Sequence, residues 1–111
     1  MTVEDTLETQ TTGPLKLPSI NIPLLPGTEE YAADLKSFMD LMVHKLYKHR
    51  SKGYWGDVDV EKYFDHLKEE VQELRVALDS GSVAWTLEES ADTANMAMII
   101  ASAFMRKAVK R

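Results

Sequence analysis

The pattern of apolar and polar positions divides the chain into an irregular arm and a helical part. Residues 1–27 hold all four prolines and only scattered apolar residues. Proline removes a backbone donor and disfavours helix in the residue before it, so this arm is predicted to be irregular, with its first dozen residues disordered. Residues 28–111 are predicted to form one helical domain, which makes the fold all-α.

Helix one is predicted over about residues 29–49. Thr28 is the expected N-cap, because its hydroxyl can accept a hydrogen bond from an amide of the first turn. Apolar residues then recur at spacings of three and four, the pattern of an amphipathic helix. These residues are Tyr31, Leu35, Phe38, Met42 and Leu46.

Helix two is predicted over about residues 60–79, capped by Asp57 or Asp59 and ended by Gly81. Its apolar residues alternate spacings of four and three, as expected for a packed seam. The seam consists of Val60, Phe64, Leu67, Val71, Leu74 and Leu78.

Helix three is predicted to begin at a capping box formed by Thr86 and Glu89. Residues 94–104 are apolar around almost the whole circumference, so this part is expected to be buried on all sides. Three helices of this size cannot enclose one of their own. We therefore expect another copy of the chain to cover part of helix three.

Charge and composition exclude several classes of function. The formal charge of −5 argues against binding to a nucleic-acid polymer, which requires a basic face. The longest uncharged stretch, Thr93 to Met105, is shorter than the roughly 20 residues that span a bilayer. The absence of cysteine excludes disulfides and thiolate metal sites, and the acidic start lacks a secretory signal, so we expect a cytoplasmic protein without a membrane partner.

Two acidic pairs carry the candidate chemistry. Glu70 with Glu73, and Glu89 with Asp92, are each three residues apart and so share a helix face, expected beside the apolar seam. If helices two and three pack antiparallel, the four carboxylates converge and repel one another unless a cation lies between them. Oxygen ligands favour Mg²⁺, or Mn²⁺, and such a site suits phosphate-ester chemistry.

A solvated helix face and a di-iron site are two other interpretations of the acids. A single Glu-x-x-Glu is usually a solvated helix face, but two such pairs without an intervening Lys or Arg favour a metal site. A di-iron carboxylate bundle requires Glu-x-x-His, and His44, His49 and His66 all lack a glutamate three residues before them. The acids therefore indicate a hard divalent cation.

With these residues in view, the chain resembles the MazG-like, all-α nucleoside triphosphate pyrophosphohydrolases over roughly residues 34–105. Their motif is Glu-x-x-Glu, a spacer, then Glu-x-x-Asp, and it stands here as Glu70 to Glu73 and Glu89 to Asp92. The doubled glutamate at Glu69, and also Leu74 and Asn95, fit the same pattern.

The resemblance implies that a nucleoside triphosphate, or a related nucleotide, is hydrolysed to the monophosphate and pyrophosphate. The implied metal ligands are Glu70, Glu73, Glu89 and Asp92. Glu70 and Glu73 are thereby catalytic, and Glu69 is a candidate base or a support for the ligands. The resemblance also implies that subunits pair into four-helix bundles, as homodimers or homotetramers.

Substrate-binding residues are expected around the acids. Trp55 matches an aromatic position of some relatives and can stack on a base, while packing at the corner between helices one and two is an equal alternative. Asn95 can bond the sugar, the base or a ligand carboxylate, and Lys45 and Lys48 belong to a basic patch that can steer phosphates.

Two alternative functions remain open from the sequence. One is a catalytically silent helical oligomer that binds a nucleotide or a protein partner. The other is a phosphoribosyl-ATP hydrolase, which shares the helices and the motif.

Overall fold

The computed structural model describes residues 22–52 and 59–109, and in these ranges it contains three α-helices and no strand. The helices are α1 (Ala32–Lys48), α2 (Val60–Ser80) and α3 (Val83–Val109). Single 3₁₀ turns at Glu29–Tyr31 and Arg50–Lys52 flank α1. The all-α prediction is confirmed for the described residues, whereas Trp55 and most of the arm lie outside them.

Helix α2 begins and ends where the sequence predicted. The Asp59 carboxylate accepts hydrogen bonds from the amides of Glu61 (3.0 Å) and Lys62 (3.5 Å), which have no partner inside the helix. Gly81 ends the helix with a φ of 78°, a left-handed conformation that glycine adopts without steric strain.

Helix α3 begins three residues before the predicted capping box, so that prediction was wrong. The Ser82 hydroxyl accepts a hydrogen bond from the Trp85 amide (3.1 Å) and thereby caps the helix. The Thr86 amide is already bonded to the Ser82 carbonyl (3.0 Å) within the first turn. As a result, Glu89 lies inside the helix, where its carboxylate is not needed for capping.

The start of α1 also differs from the prediction, because Thr28 does not act as a side-chain cap. Its hydroxyl donates to the Leu25 carbonyl (2.7 Å), and the Glu29 carboxylate accepts from the Gly27 amide (3.0 Å). These bonds close a turn at the end of the arm. The chain then makes one 3₁₀ turn before α1 begins at Ala32.

Helix α3 is the central element, because α1 and α2 both pack against it. The two-residue connection Gly81-Ser82 makes α2 and α3 antiparallel neighbours. The core is small and rich in alanine. Its buried apolar residues are Ala77, Ala91, Met96, Ile99 and Ala103.

The predicted seam of α2 is rotated in the structure. Phe64, Val71 and Leu78 are each about half exposed, at 48%, 49% and 52%. Three of the six predicted positions, Val60, Leu67 and Leu74, are on the less exposed line, whereas at the other three the preceding residue is the less exposed one, namely Tyr63, Glu70 or Ala77. Glu70 was expected beside the packed seam, but it lies within the line that faces α3.

The other described residues cover the apolar part of α3 only partly. Met98, Phe104 and Met105 are 41%, 57% and 62% exposed, so the expected burial on all sides is not reached by the three described helices alone. None of these helices combines the length and apolarity needed to cross a bilayer.

The observed start of α3 predicts a specific loss of stability. Ser82→Ala removes the cap and is expected to lower the free energy of unfolding by about 1 kcal/mol in urea denaturation. Thr86→Val is the matched control, because it removes a hydroxyl at the position of the predicted capping box and should change stability by no more than a few tenths of a kcal/mol. A larger loss for Thr86→Val than for Ser82→Ala would contradict the observed start of the helix.

Candidate metal centre and adjoining cavity

Three carboxylates meet between α2 and α3. One oxygen each of Glu70, Glu73 and Glu89 lies within 4.8 Å of the other two. The antiparallel arrangement produces this cluster, because the first acidic pair and the start of the second come opposite each other across the helix contact. Glu70 and Glu89 are partly buried, and Glu73 is exposed.

Two oxygens of the cluster are buried without a hydrogen-bond partner, namely Glu70 Oε2 and Glu89 Oε2. Buried carboxylate oxygens are almost always satisfied by a donor or by a cation, because an unpaired buried charge is costly. The cluster therefore fits a proton or a hard cation, and its all-oxygen donor set matches Mg²⁺ or Mn²⁺.

The crowding changes the acidity of two of the carboxyl groups. Burial and, after it, the neighbouring charges of Glu73, Asp92 and Glu89 together raise the pKa of Glu70 from 4.5 to about 7. Burial and Glu73 also raise the pKa of Glu89, against a hydrogen bond from the Trp85 side chain that lowers it. Without a metal, the cluster thus retains a proton close to neutral pH.

Asp92 is close enough to this cluster for its charge to raise the pKa of Glu70, but its direct partner is a lysine from α1. Lys45 Nζ lies 3.3 Å from Asp92 Oδ2, and the two side chains are only 13% and 19% exposed. The structure therefore brings three of the four predicted ligands together. The fourth, Asp92, lies between these acids and the ammonium group of Lys45.

Further polar contacts join α1 to α3 on either side of this ion pair. Asn95 Nδ2 donates to the Met42 carbonyl (3.1 Å), and Lys48 Nζ lies 3.9 Å from Glu88 Oε1. Successive contacts move forward along α1 and backward along α3, so the two helices run antiparallel. The Asn95 bond uses the amide donor, and its Oδ1 is left buried without a partner.

A cavity of about 520 Å³ opens beside the acids, between the three helices. This volume is within the usual range for small-molecule sites. One part of its wall carries Glu70 and Asp92, and the remainder combines potential donors with apolar side chains. The lining residues are Lys45, Leu46, His49, Tyr63, His66, Glu70, Asp92, Asn95, Met96 and Ile99.

The other predicted site residues are placed less centrally. Glu69 is exposed and lines a separate pocket of about 300 Å³ with Lys62 and Asp65, away from the cluster of three acids. Lys48 is about half exposed beside Glu88. Trp55 lies outside the described residues, so its predicted stacking on a base stays a prediction.

Sequence reasoning missed His66 as a residue of this site. His66 Nε2 lies 3.2 Å from Glu70 Oε1, one helical turn along α2. The available signal was the spacing of four residues, which places two side chains in contact on a helix. The Glu-x-x-His pattern of di-iron sites does not include this pair, because here the histidine precedes the glutamate, by four residues.

No protein-family model matches the chain, and neither a curated protein nor a solved structure gives a significant match.

The raised pKa of Glu70 predicts how stability depends on pH in metal-free buffer. Because the folded state binds this proton more tightly than the unfolded state, the contribution of Glu70 is fully present below about pH 4.5 and is lost as the pH rises through about 7. The difference in unfolding free energy between wild type and Glu70→Gln should fall across this window. Above pH 7 the variant should be the more stable protein.

The exposed neighbour supplies the control for this measurement. Glu69→Gln removes a carboxylate from the adjacent position on α2 and should keep the pH dependence of the wild type. Parallel stability curves for wild type and Glu70→Gln between pH 4.5 and 7 would contradict the proposed acidity of Glu70.

Proposed function

We propose that this protein is a divalent-cation-dependent nucleotide pyrophosphohydrolase. It would hydrolyse a ribo- or deoxyribonucleoside triphosphate, or a related nucleotide, to the monophosphate and pyrophosphate. The observation that carries the proposal is the cluster of Glu70, Glu73 and Glu89, which has two unpaired buried oxygens and adjoins a cavity lined by Lys45.

The acids would hold the metal, with Glu70, Glu73 and Glu89 as its first ligands and Asp92 adjoining them. When bound, Mg²⁺ or Mn²⁺ would supply charge neutralisation for the polyphosphate and a more acidic water for hydrolysis. His66, in contact with Glu70 Oε1, would fix the orientation of that carboxylate.

The cavity would bind the nucleotide next to the acids. Lys45 and Lys48 supply positive charge on the side of α1 that faces α3, where it can attract phosphates. Asn95 is held by the Met42 carbonyl, which leaves its Oδ1 as the atom to accept a hydrogen bond from sugar or base. Glu69 stays a candidate base on the sequence resemblance alone, since it lines a separate pocket away from the three acids.

We also infer that two or four copies of the chain associate through α3. The helix exposes Met98, Phe104 and Met105, and no large side chain among the described residues is fully buried. Exposed apolar surface of this kind favours self-association. A pair of such chains would complete the four-helix-bundle core that the sequence predicts.

The proposed activity predicts metal-dependent release of pyrophosphate. We expect turnover of at least one nucleoside triphosphate in a screen of all NTPs and dNTPs with Mg²⁺. Glu73→Gln should reduce the rate by about 100-fold or more, because it removes an exposed ligand without disturbing the core. Glu61→Gln, an exposed glutamate at the start of α2, should retain the wild-type rate.

Adding phosphoribosyl-ATP to the substrates of this screen also separates the alternatives. Turnover of phosphoribosyl-ATP alone would identify the second hydrolase activity. If every nucleotide is inert and Mg²⁺ leaves the melting temperature unchanged, the silent oligomer replaces the enzyme as the better interpretation.

The proposed self-association predicts the effect of a charge on α3. Phe104→Glu should shift the protein towards the monomer in light scattering coupled to size exclusion, because a buried unpaired carboxylate opposes association. Val43→Glu on α1 is the control, since Val43 is similarly exposed (53%) and lies on another helix. Wild type that is monomeric at high micromolar concentration would contradict the inference.

A further inference from the structure

Asp92 lies between two opposite electrostatic environments. On one side are the carboxylates of the cluster, whose charges act on one another across the contact between α2 and α3. On the other side is the Lys45 ammonium, 3.3 Å away and almost fully covered. A covered ammonium requires an anionic partner, because its desolvation is otherwise uncompensated.

We propose, as an extension of the metal-dependent function proposed above, that Asp92 is exchanged between two cations. In the metal-free protein it pairs with Lys45. When a divalent ion binds to Glu70, Glu73 and Glu89, Asp92 joins the ion and Lys45 is released into the cavity, where it binds an anionic group of the ligand.

The contacts around the pair support this exchange. Lys45 lines the cavity, so its flexible side chain can turn into that space without a movement of α1. Of the two other acids nearby on α3, Glu89 would be bound to the metal and Glu88 already faces Lys48 at 3.9 Å. A phosphate in the cavity is therefore the most suitable new partner for the released ammonium.

The exchange has a thermodynamic consequence. If the metal takes the partner of Lys45, an anion that binds Lys45 makes metal binding more favourable, and the metal makes anion binding more favourable by the same factor. The ion pair would thus keep the site from holding a metal tightly when the nucleotide is absent. Lys45 is a positioning residue in this scheme, because it acts on the metal through Asp92.

Binding of Mn²⁺, followed by electron paramagnetic resonance without nucleotide, tests the exchange in four proteins: wild type, Lys45→Met, Asp92→Asn and the double variant. Removing the competing lysine should strengthen Mn²⁺ binding at least about fivefold. The gain should disappear in the Asp92→Asn background. A gain of equal size in that background would show only the loss of a nearby positive charge and would overturn the proposal.

Lys48→Met provides the matched control for charge, because it removes a lysine one turn away that faces Glu88. It should alter Mn²⁺ affinity much less than Lys45→Met does. Equal effects of the two substitutions would again indicate a general electrostatic effect and would contradict the exchange.

A second measurement uses the wild-type protein and does not depend on the folding of any variant. Acetylation of individual lysines is followed by mass spectrometry with and without Mg²⁺. Lys45 is 13% exposed and should be acetylated slowly without metal. Addition of Mg²⁺ should raise its acetylation rate relative to that of Lys36, which is 79% exposed and serves as the internal reference. An unchanged ratio at saturating Mg²⁺ would overturn the proposal.

The two proposals fail in distinguishable ways. If wild type binds no Mn²⁺ at all, the metal-dependent function fails and the exchange fails with it. If Mn²⁺ binds but Lys45→Met gives no gain that depends on Asp92, only the exchange is refuted and the metal site stands.

Discussion

Repulsion between carboxylates at the contact of α2 and α3 is the constraint on which the arrangement of the site depends. Glu70 lies within the line of α2 that packs against α3, where an apolar residue would normally be found. Burial in that line, together with the charges of the neighbouring carboxylates, raises its pKa to about 7. The folded chain meets this constraint with a retained proton, with His66 beside Glu70 and with Lys45 beside Asp92, and a divalent cation would meet it more completely.

Helix α3 connects the acidic cluster to a source of positive charge. Glu89 and Asp92 are one turn apart on this helix, and Glu89 meets the acids of α2 whereas Asp92 meets Lys45 of α1. Any group that enters the cavity therefore encounters carboxylates and an ammonium in one small space. Metal-bound polyphosphates have this combination of charges, and this match is the basis of the proposed nucleotide substrate.

The described residues form only a small core, which is the reason for proposing self-association. Its most deeply covered residues include Ala77 and Ala91, whose burial contributes little apolar area, while Phe64 and Phe104 remain about half exposed. Residues 22–52 and 59–109 therefore gain little from packing against one another. Burial between copies would supply the apolar contacts that one copy lacks.

The sequence by itself determined the three helices, an aspartate cap for α2 at Asp57 or Asp59, the end of α2 at Gly81 and the two acidic pairs. These features are encoded by residues within one or two turns of each other. Only the tertiary structure decided that Glu70 lies in the packed line, that Asp92 pairs with Lys45 and that a cavity opens beside them. The physical reason is that these contacts depend on how each helix is rotated about its axis against its neighbour. That rotation follows from packing between distant residues, and periodicity along the chain constrains it too weakly to predict it.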